Sequence, residues 1–167
     1  MWTQILDKFS AYPAQEKVVR LLLERGFQVD SNGKVVSGRI TIPHTKIAQE
    51  VRVDRRVVDA TSQMILEDET LNKVFQNIST IAFLRDVAPE IGLGVVVVTP
   101  KDAREVGLLG EVASIIAKHE ISIRQAVSDD PFFIEEPKLT IVTDLPVSGE
   151  LVEEIKKLSS VKSVTVY

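Results

Sequence analysis

Gly92-Leu-Gly-Val95-Val-Val-Val98-Thr-Pro100 begins the most informative part of the sequence, which continues over residues 101–127 as KDAREVGLLGEVASIIAKHEISIRQAV. The consecutive valines predict a buried β-strand, because an uninterrupted β-branched run is typical of strands covered on both faces. Aliphatic residues recur at helical spacing over residues 107–119, and apolar and polar residues alternate over residues 121–127. The stretch therefore predicts a strand, a glycine loop, a helix and a second strand.

The residues after this stretch continue the alternation of strands and helices. Residues 138–143 predict a third strand, residues 148–158 a helix with Ser148 as its N-cap, and residues 161–166 a last strand. With right-handed crossovers, the order βαββαβ gives an antiparallel sheet with both helices on one face. We therefore expect a ferredoxin-like domain over residues 92–167.

Two short helical patterns upstream of this domain are separated by a turn. Thr45 is the candidate N-cap of the first helix, and Asp54 is the candidate N-cap of the second, which runs to Leu66. Two helices that are joined by a turn of about three residues and locked by apolar side chains form a helix-turn-helix. Arg52 occupies the turn position where such motifs usually have glycine.

The second helix of this pair carries the residues that favour DNA as a partner. The recognition helix of a helix-turn-helix presents hydrogen-bond donors from its N-terminal part to base edges and phosphates. The sequence also allows a second interpretation, in which Arg55 pairs with Asp59 four residues later on a solvated face. The predicted DNA contacts are Lys46, Arg52, Arg55, Arg56 and Gln63, with Ser62 as a further donor beside Gln63.

The N-terminal part of the chain predicts a small α+β domain around this motif. A helix over residues 14–25 ends at Gly26 in a left-handed cap, and Asn32-Gly33 predicts a tight hairpin turn. Residues 39–42 extend the second strand of this hairpin. We therefore expect an α+β chain with a helix-turn-helix domain and its hairpin over residues 1–68, an apolar helical connector over residues 69–91 and the ferredoxin-like domain over residues 92–167.

Charge and composition distinguish the two halves of the chain. Residues 1–66 contain ten Lys and Arg against seven Asp and Glu, which gives +3, and residues 67–167 contain ten against seventeen, which gives −7; together these give the net charge of −4. The contrast suggests different partners for the two halves. The absence of cysteine excludes disulfides and thiolate zinc sites and fits a cytoplasmic protein. No apolar run is long enough to span a membrane.

The glycine loop and its neighbours resemble a known family. Residues 104–123, with Gly107 after the first strand, an aliphatic helix and the strand start Ile121-Ser-Ile123, resemble the signature of ACT domains, and the resemblance covers residues 92–167. With the helix-turn-helix in front, the whole chain resembles archaeal predicted regulators of amino-acid metabolism. The resemblance implies regulatory binding of a small ligand, commonly an amino acid, by sheets that pair in a dimer. The ligand-binding residues that it implies are Arg104, Val106, Gly107, Leu108, Leu109, Gly110, Ser122 and Arg124.

Two departures from the ACT pattern leave the ligand and the partner open. Arg104 and Val106 stand where many ACT domains have Asn or Asp and Pro. An arginine beside a helix N-terminus favours an anion, so a phosphorylated metabolite is an alternative to an amino acid. A further alternative belongs to another class of function: an allosteric module that does not bind DNA and docks on a biosynthetic enzyme.

The remaining expectations concern chemistry and assembly. No arrangement of nucleophile, base and orienting residue is evident, so we expect neither enzymatic activity nor a cofactor. His44 and His119 are the only histidines and lie in different halves, so we expect no metal site. We expect a homo-oligomer, at least a dimer, with a small-molecule effector and with DNA as partners and no membrane. Phe132 and Phe133 are expected to pack on a neighbouring subunit or on the connector.

Overall fold

The computed structural model describes residues 2–132 and 134–167, and the chain divides into two compact units, residues 1–81 and 82–167. Both units combine helices with antiparallel strands, so the predicted α+β class is confirmed. The division falls inside the segment that was predicted to be a connector. Phe133, for which we expected a contact with a neighbouring subunit or the connector, lies outside the described residues.

The N-terminal unit packs its helices and a small antiparallel sheet around an apolar core. Its elements, in chain order, are α1 (Trp2–Asp7), α2 (Pro13–Arg25), β1 (Gln28–Val29), β2 (Val35–Ser37), β3 (Ile40–Thr41), α3 (His44–Val51), α4 (Arg55–Glu67) and α5 (Glu69–Asn77). The strands pair in the order β1-β2-β3. Leu22, Ile65 and Phe75 are fully buried and come from the apolar stripes of α2, α4 and α5. Each of these helices therefore turns one face to the common core.

The end of α2 is confirmed as a left-handed cap. Gly26 has a φ of 60°, and the Phe27 N–H donates to the Leu22 carbonyl at 2.9 Å. A Cβ at Gly26 would lie 2.8 Å from backbone atoms of Ser79 and Thr80, closer than such atoms can approach. Glycine is therefore required both by the left-handed backbone and by the close passage of the chain beyond α5.

The hairpin between β1 and β2 is confirmed, but its connection spans residues 30–34 instead of two residues. The Asp30 carboxylate accepts hydrogen bonds from the N–H groups of Asn32 and Lys34 at 2.9 and 2.8 Å. Within the Asn-Gly pair, Gly33 takes a positive φ and Asn32 does not. The predicted primed turn is therefore wrong, because that turn needs a positive φ at both positions. The Asp30 side chain organises the longer loop in its place.

Two boundaries after this hairpin also differ from the prediction. A second turn, in which Gly38 has a φ of 59°, makes β3 a separate strand instead of an extension of β2. α3 begins at His44 with Pro43 in the N-cap position, and no side chain of the described residues caps it. Thr45 is therefore inside the helix and is not its N-cap. Pro43 has a ψ of 130°, which is extended, so His44 is the first helical residue.

Asp68 connects α4 to α5. Its carboxylate pairs with the Lys8 ammonium and accepts hydrogen bonds from the N–H groups of Leu71 and Thr70 at 2.9 and 3.0 Å. The Lys8 ammonium, together with these N–H groups, holds the pKa of Asp68 below its ordinary value of 3.8. One ionised carboxylate thus ties together the end of α4, the start of α5 and the chain after α1.

The C-terminal unit has the predicted ferredoxin-like topology. Its elements, in chain order, are β4 (Gly94–Pro100), α6 (Leu108–Lys118), β5 (Ile123–Ser128), β6 (Leu139–Thr143), α7 (Gly149–Lys156) and β7 (Val161–Val166). The strands lie in the order β5-β6-β4-β7 and every neighbouring pair is antiparallel. Ser148 caps α7 as predicted, because its hydroxyl accepts the Leu151 N–H at 3.3 Å.

β4 is buried on both faces, as the run of valines predicts. Val96 and Val98 are fully buried in a core that includes aliphatic side chains of α6 and α7. Val95 and Val97 face the other side of the sheet, where they pack with Ala88 from the segment before β4. The sheet therefore has one face under its helices and another under this segment.

The connector predicted as helical over residues 69–91 does not continue as a helix after α5; in its described part beyond α5, the helical turn is of 3₁₀ type and spans Pro89–Ile91. The Leu84 N–H donates to the side-chain oxygen of Gln125 at 2.9 Å. The Gln125 amide donates in turn to the Ala82 carbonyl at 2.9 Å. These bonds attach the segment to β5, and Pro89 has no N–H to donate to a continuous helix.

Replacing Asp68 by alanine should lower the free energy of unfolding by about 1 to 2 kcal/mol, because alanine removes the N-cap of α5. Asp68→Asn retains a capping side chain and loses the ion pair with Lys8, so its effect should be smaller. Urea unfolding at pH 7 measures both.

The same residue predicts a dependence of stability on pH. The pKa of Asp68 is depressed in the folded state, so its contribution is present above its ordinary value of 3.8 and is lost as the pH falls below that value. The difference between wild type and Asp68→Ala should therefore shrink in strongly acidic solution. Equal stability of the two proteins at pH 7 would contradict the capping role.

Candidate functional site

The turn between α3 and α4 is set by a left-handed residue. Arg52 has a φ of 57° and a ψ of 54°. The Val53 N–H reaches back to the Ala48 carbonyl at 2.9 Å, and the Arg52 N–H donates to the Gln49 carbonyl at 3.3 Å. This is a Schellman-type helix end, in which glycine is usual because other residues cost about 1 kcal/mol or more in this conformation. The helix-turn-helix is therefore formed with an arginine in the strained position.

α4 begins directly after this turn. Asp54 caps it, as predicted, by accepting the Arg56 N–H at 2.8 Å. This hydrogen bond, with the charge of the Arg56 side chain, holds the pKa of Asp54 below its ordinary value of 3.8. The cap is therefore ionised at neutral pH, and the arginines of the first turn lie close to a fixed negative charge.

One face of α4 is exposed and mostly polar. Arg56, Ala60, Gln63 and Glu67 recur every three or four residues and are all exposed, so they lie along one side of the helix. The side chain of Arg56 is 92% exposed, and the Gln63 amide donates to Glu67 at 2.8 Å. Ala60 was not predicted as a contact; a small side chain here allows close approach, and alanine can contact a thymine methyl group.

The other predicted DNA contacts flank this exposed face. Lys46 and Arg52 are both exposed. Arg55 is 65% exposed, and its Nε lies 3.4 Å from an Asp59 oxygen, so the ion pair of the alternative interpretation is present. Exposed pairs of this kind contribute about 0 to 1 kcal/mol, so a phosphate can replace the carboxylate. The pair therefore leaves Arg55 available to DNA.

Ser62 is not available to base edges, in contrast to the prediction. It lies three and four residues from Ile65 and Val58, both fully buried, and is itself only 2% exposed. Its position on α4 therefore belongs to the buried stripe and not to the exposed face. Its hydroxyl has no hydrogen-bond partner among the residues that the structure describes.

A histidine–carboxylate pair lies beside α4, and the sequence analysis missed it. Nδ1 of His44, the first residue of α3, lies 2.6 Å from an Asp59 oxygen. The two residues come from different helices, so no local spacing indicates the contact. Asp59 therefore binds both His44 and Arg55.

The glycine loop of the C-terminal unit is open to solvent. Gly107 has a φ of 99° at the N-cap of α6, and a Cβ at Gly107 or at Gly110 would meet open space. No side chain of the described residues caps α6, so the N–H groups of its first turn are left for solvent or a ligand. Val106 is 93% exposed and Leu109 48% exposed, whereas Leu108 packs against the core. The loop thus combines unused donors with exposed apolar side chains.

Two predicted ligand residues are not brought together with this loop within one chain. The loop follows the end of β4. Ile123, at the start of β5, pairs with Thr143, which in turn pairs with Gly94 at the beginning of β4. The length of β4, about 20 Å at about 3.3 Å per residue, therefore separates Ser122 and Arg124 from the loop.

Arg104 lines a separate cleft. The cleft of about 350 Å³ lies between the loop after β4 and the turn region after β5. Gly107 and Gly110 line a different, open groove between α6 and α7. The charged residues in the cleft are the cations Lys101, Arg104 and Lys162 and the carboxylates Asp102, Glu135 and Glu136.

Two negative observations apply to the described residues. Residues 2–132 and 134–167 hold no group of three or more His, Cys, Asp or Glu side chains that could bind a metal ion. Within the same residues, no helix combines the length and apolar character needed to cross a membrane.

Comparison with known proteins shows distant structural similarity and no sequence match. No protein-family model and no curated protein matches the chain. An AsnC family transcriptional regulator from Agrobacterium tumefaciens shares 13% identity over 92% of this chain and 86% of that chain, with a TM-score of 0.29. A homoserine dehydrogenase from Thiobacillus denitrificans shares 13% identity over 68% of this chain and 28% of that chain, with a TM-score of 0.36.

A third similar structure is the C-terminal domain of the MgtC protein from Mycobacterium tuberculosis, with 18% identity over 45% of this chain and 83% of that chain and a TM-score of 0.34. Identities and TM-scores this low carry no assignment of function.

Arg52→Gly should keep or raise the free energy of unfolding, by up to about 1 kcal/mol, because glycine relieves the left-handed strain. Arg52→Ala removes the same cation and retains the strain, so it should give no such gain. Urea unfolding of the two variants and of the wild-type protein measures the difference. A glycine variant less stable than the alanine variant would contradict the left-handed turn.

Proposed function

We propose that the chain is a transcriptional regulator that binds DNA through its N-terminal unit and a small metabolite of amino-acid metabolism through its C-terminal unit, as a homodimer. DNA binding is supported mainly by the exposed face of α4, which includes Arg56. This helix follows the left-handed turn at Arg52. The metabolite part is supported by the clefts of the C-terminal unit and by the ACT resemblance of residues 92–167.

The dimensions of α4 suit the major groove of DNA. An α-helix with its side chains is about 10 to 12 Å across, and the groove is about 12 Å wide. Arg56 and Gln63 lie two turns apart on the exposed face, about 10 Å along the axis, which corresponds to about three base-pair steps. Arginine can bind guanine and glutamine can bind adenine through paired hydrogen bonds. Lys46 and Arg52, which flank this face, are suited to backbone phosphates.

The charge of the chain favours DNA binding by a dimer. The whole chain carries a net charge of −4, and the excess of Lys and Arg is confined to its first part. Electrostatic affinity for DNA grows with the number of phosphates that are contacted. Two N-terminal units that contact neighbouring half-sites therefore bind DNA more tightly than one unit alone.

For the metabolite we favour an amino acid. The cleft at Arg104 contains as many cations as carboxylates among its described lining residues. An amino acid presents a carboxylate and an ammonium group, and this mixture of charges suits both. A sugar phosphate would bring further negative charge towards Glu135 and Glu136, which weakens the phosphorylated-metabolite alternative. Ser122 and Arg124 contribute only if a second subunit brings them to the site, as sheet pairing in ACT domains would imply.

A second candidate function is docking on a biosynthetic enzyme. Val106 is 93% exposed on the glycine loop, and Leu109 is 48% exposed in the first turn of α6. Exposed apolar side chains at the start of a helix are suited to a protein partner as well as to a small molecule. In this case the N-terminal unit would serve as an interaction surface, and the DNA experiment below separates the two functions.

Arg56→Ala should weaken DNA binding by about 1 to 3 kcal/mol and relax the preference at one base position, whereas Lys46→Ala should weaken binding to all sequences and lower the salt slope by about 1. Lys73→Ala is the matched control, because Lys73 is an exposed cation of the same unit on α5. Binding to a duplex library selected with the wild-type protein, repeated over a salt series, measures these effects. If the wild-type protein shows no salt-dependent binding with or without amino acids, the regulator proposal fails and the docking function gains support.

Amino acids that bind the C-terminal unit should raise the melting temperature, because a ligand of the native state adds about 2.7 kcal/mol at about 100 times its Kd. Arg104→Met should abolish the shift produced by the best amino acid and leave the fold intact. Lys156→Met is the control and should retain the shift, because Lys156 is an exposed cation of the same unit on α7, where it pairs with Glu153, and does not line the Arg104 cleft. A shift that survives in Arg104→Met would exclude the Arg104 cleft as the effector site.

A further inference from the structure

A cleft of about 490 Å³ lies between the hairpin turn, the start of α3 and one side of α4. It shares Arg55 and Gln63 with the predicted DNA contacts, so it adjoins the helix-turn-helix surface. The cleft is also lined by Lys34, His44, Asp59 and Ser62.

His44 turns one ring nitrogen to a carboxylate and leaves the other without a partner. Its Nδ1 lies 2.6 Å from an Asp59 oxygen, and an ionised carboxylate can only accept, so Nδ1 carries a proton. The side chain is 16% exposed, and its Nε2 is buried without a hydrogen-bond partner among the described residues. Nε2 is therefore the free polar atom of a ring whose orientation Asp59 fixes.

Ser62 supplies a second free polar group in the same cleft. The residue is 2% exposed, and its Oγ has no partner within the described part of the chain. The neighbouring Thr61, by contrast, has a hydrogen-bond partner, because its hydroxyl donates to the Val57 carbonyl one turn earlier at 2.7 Å. Buried polar side chains nearly always have a hydrogen-bond partner. Two free polar groups in one cleft therefore indicate a polar ligand.

The charge around the cleft favours an anion. Lys34 and Arg55 are exposed cations at its edge, and Asp59 is the only carboxylate among its described lining residues. Asp59 already binds His44 and Arg55. In addition, α3 starts in this cleft behind Pro43 without a capping side chain among the described residues. The Lys46 N–H donates to the Pro43 carbonyl at 2.9 Å, which leaves the N–H groups of His44 and Thr45 at the start of the helix without a partner in that part of the chain.

We propose that this cleft binds a phosphate group. Its oxygens accept hydrogen bonds from the Ser62 hydroxyl and the Arg55 guanidinium, and Lys34 adds positive charge at the edge of the cleft. His44 lines the same cleft, so its Nε2 reports on the ligand. The phosphate belongs either to the DNA backbone or to a free phosphate compound. The first source rests on the proposed function, whereas the site itself does not.

The two histidines of the sequence make the site observable. His119 lies in the C-terminal unit, where it pairs with Glu154 at 3.1 Å, and serves as the internal control. Ring-nitrogen NMR signals of the ¹⁵N-labelled full chain are followed at constant pH and ionic strength as inorganic phosphate replaces chloride, and then as duplex DNA is added. His119→Gln identifies the signals. We expect a saturable shift of His44 Nε2 with at least one source and no shift for His119.

Ser62→Ala distinguishes a ligand-binding hydroxyl from a structural one. Removal of a buried hydroxyl without a partner should leave the urea midpoint unchanged or higher, and it should lower affinity for the phosphate source about three- to tenfold. Ser114→Ala is the matched control, because the Ser114 hydroxyl donates to the Gly110 carbonyl of its own helix at 2.7 Å. This control should leave phosphate and DNA affinity unchanged.

The outcomes separate the phosphate site from the proposed function. A His44 shift with inorganic phosphate, reduced in Ser62→Ala, supports the site even if the chain binds no DNA. A shift with DNA alone, again reduced in Ser62→Ala, supports a backbone phosphate as the ligand. DNA binding that depends on Arg56, with no response of His44 to either source, overturns the phosphate site and leaves the proposed function standing. If Ser62→Ala binds both phosphate sources with unchanged affinity, the phosphate site is also overturned.

Discussion

The left-handed backbone at Arg52 is the constraint on which the arrangement of the N-terminal unit depends. Because the Val53 N–H closes on the Ala48 carbonyl at 2.9 Å, α3 ends abruptly and α4 starts at a defined angle to it. That angle places His44, at the start of α3, against Asp59 in the middle of α4. The turn therefore sets both the exposed face of α4 and the cleft beside it, and a different backbone at this one residue would change them together.

Carboxylates determine how the cations around α4 are presented. Asp54 caps the helix as an ionised group, and Asp59 holds the ring of His44. Each of these carboxylates also lies 3.4 Å from an arginine Nε. Exposed ion pairs are weak, so these contacts orient the guanidinium groups without competing strongly with a phosphate. Local stability and affinity for an anion are therefore compatible on one short helix, although the chain as a whole is acidic.

Local patterns predicted most of the fold because the interactions that they report are local. The valine run of β4 and the caps at Gly26, Asp54 and Ser148 depend on burial or on hydrogen bonds within about one turn of chain, and all are present. Two local predictions failed, because the Asp30 side chain organises a longer hairpin loop and Pro43 takes the N-cap position of α3. The helical prediction for the segment before β4 also failed. There the backbone is bound by Gln125 of β5, a distant contact that local periodicity does not report.

For the sites, the amino-acid sequence was enough to identify the chemical groups that each element offers: arginines at the start of α4 and glycines before and within the first turn of α6. The folded chain was needed to find that Ser62 is buried, that His44 contacts Asp59, and that Ser122 and Arg124 lie at the far end of the sheet from the glycine loop. This is because helical and strand periods fix neighbours within one element. The crossing of helices and the register of paired strands fix neighbours that are far apart in the chain.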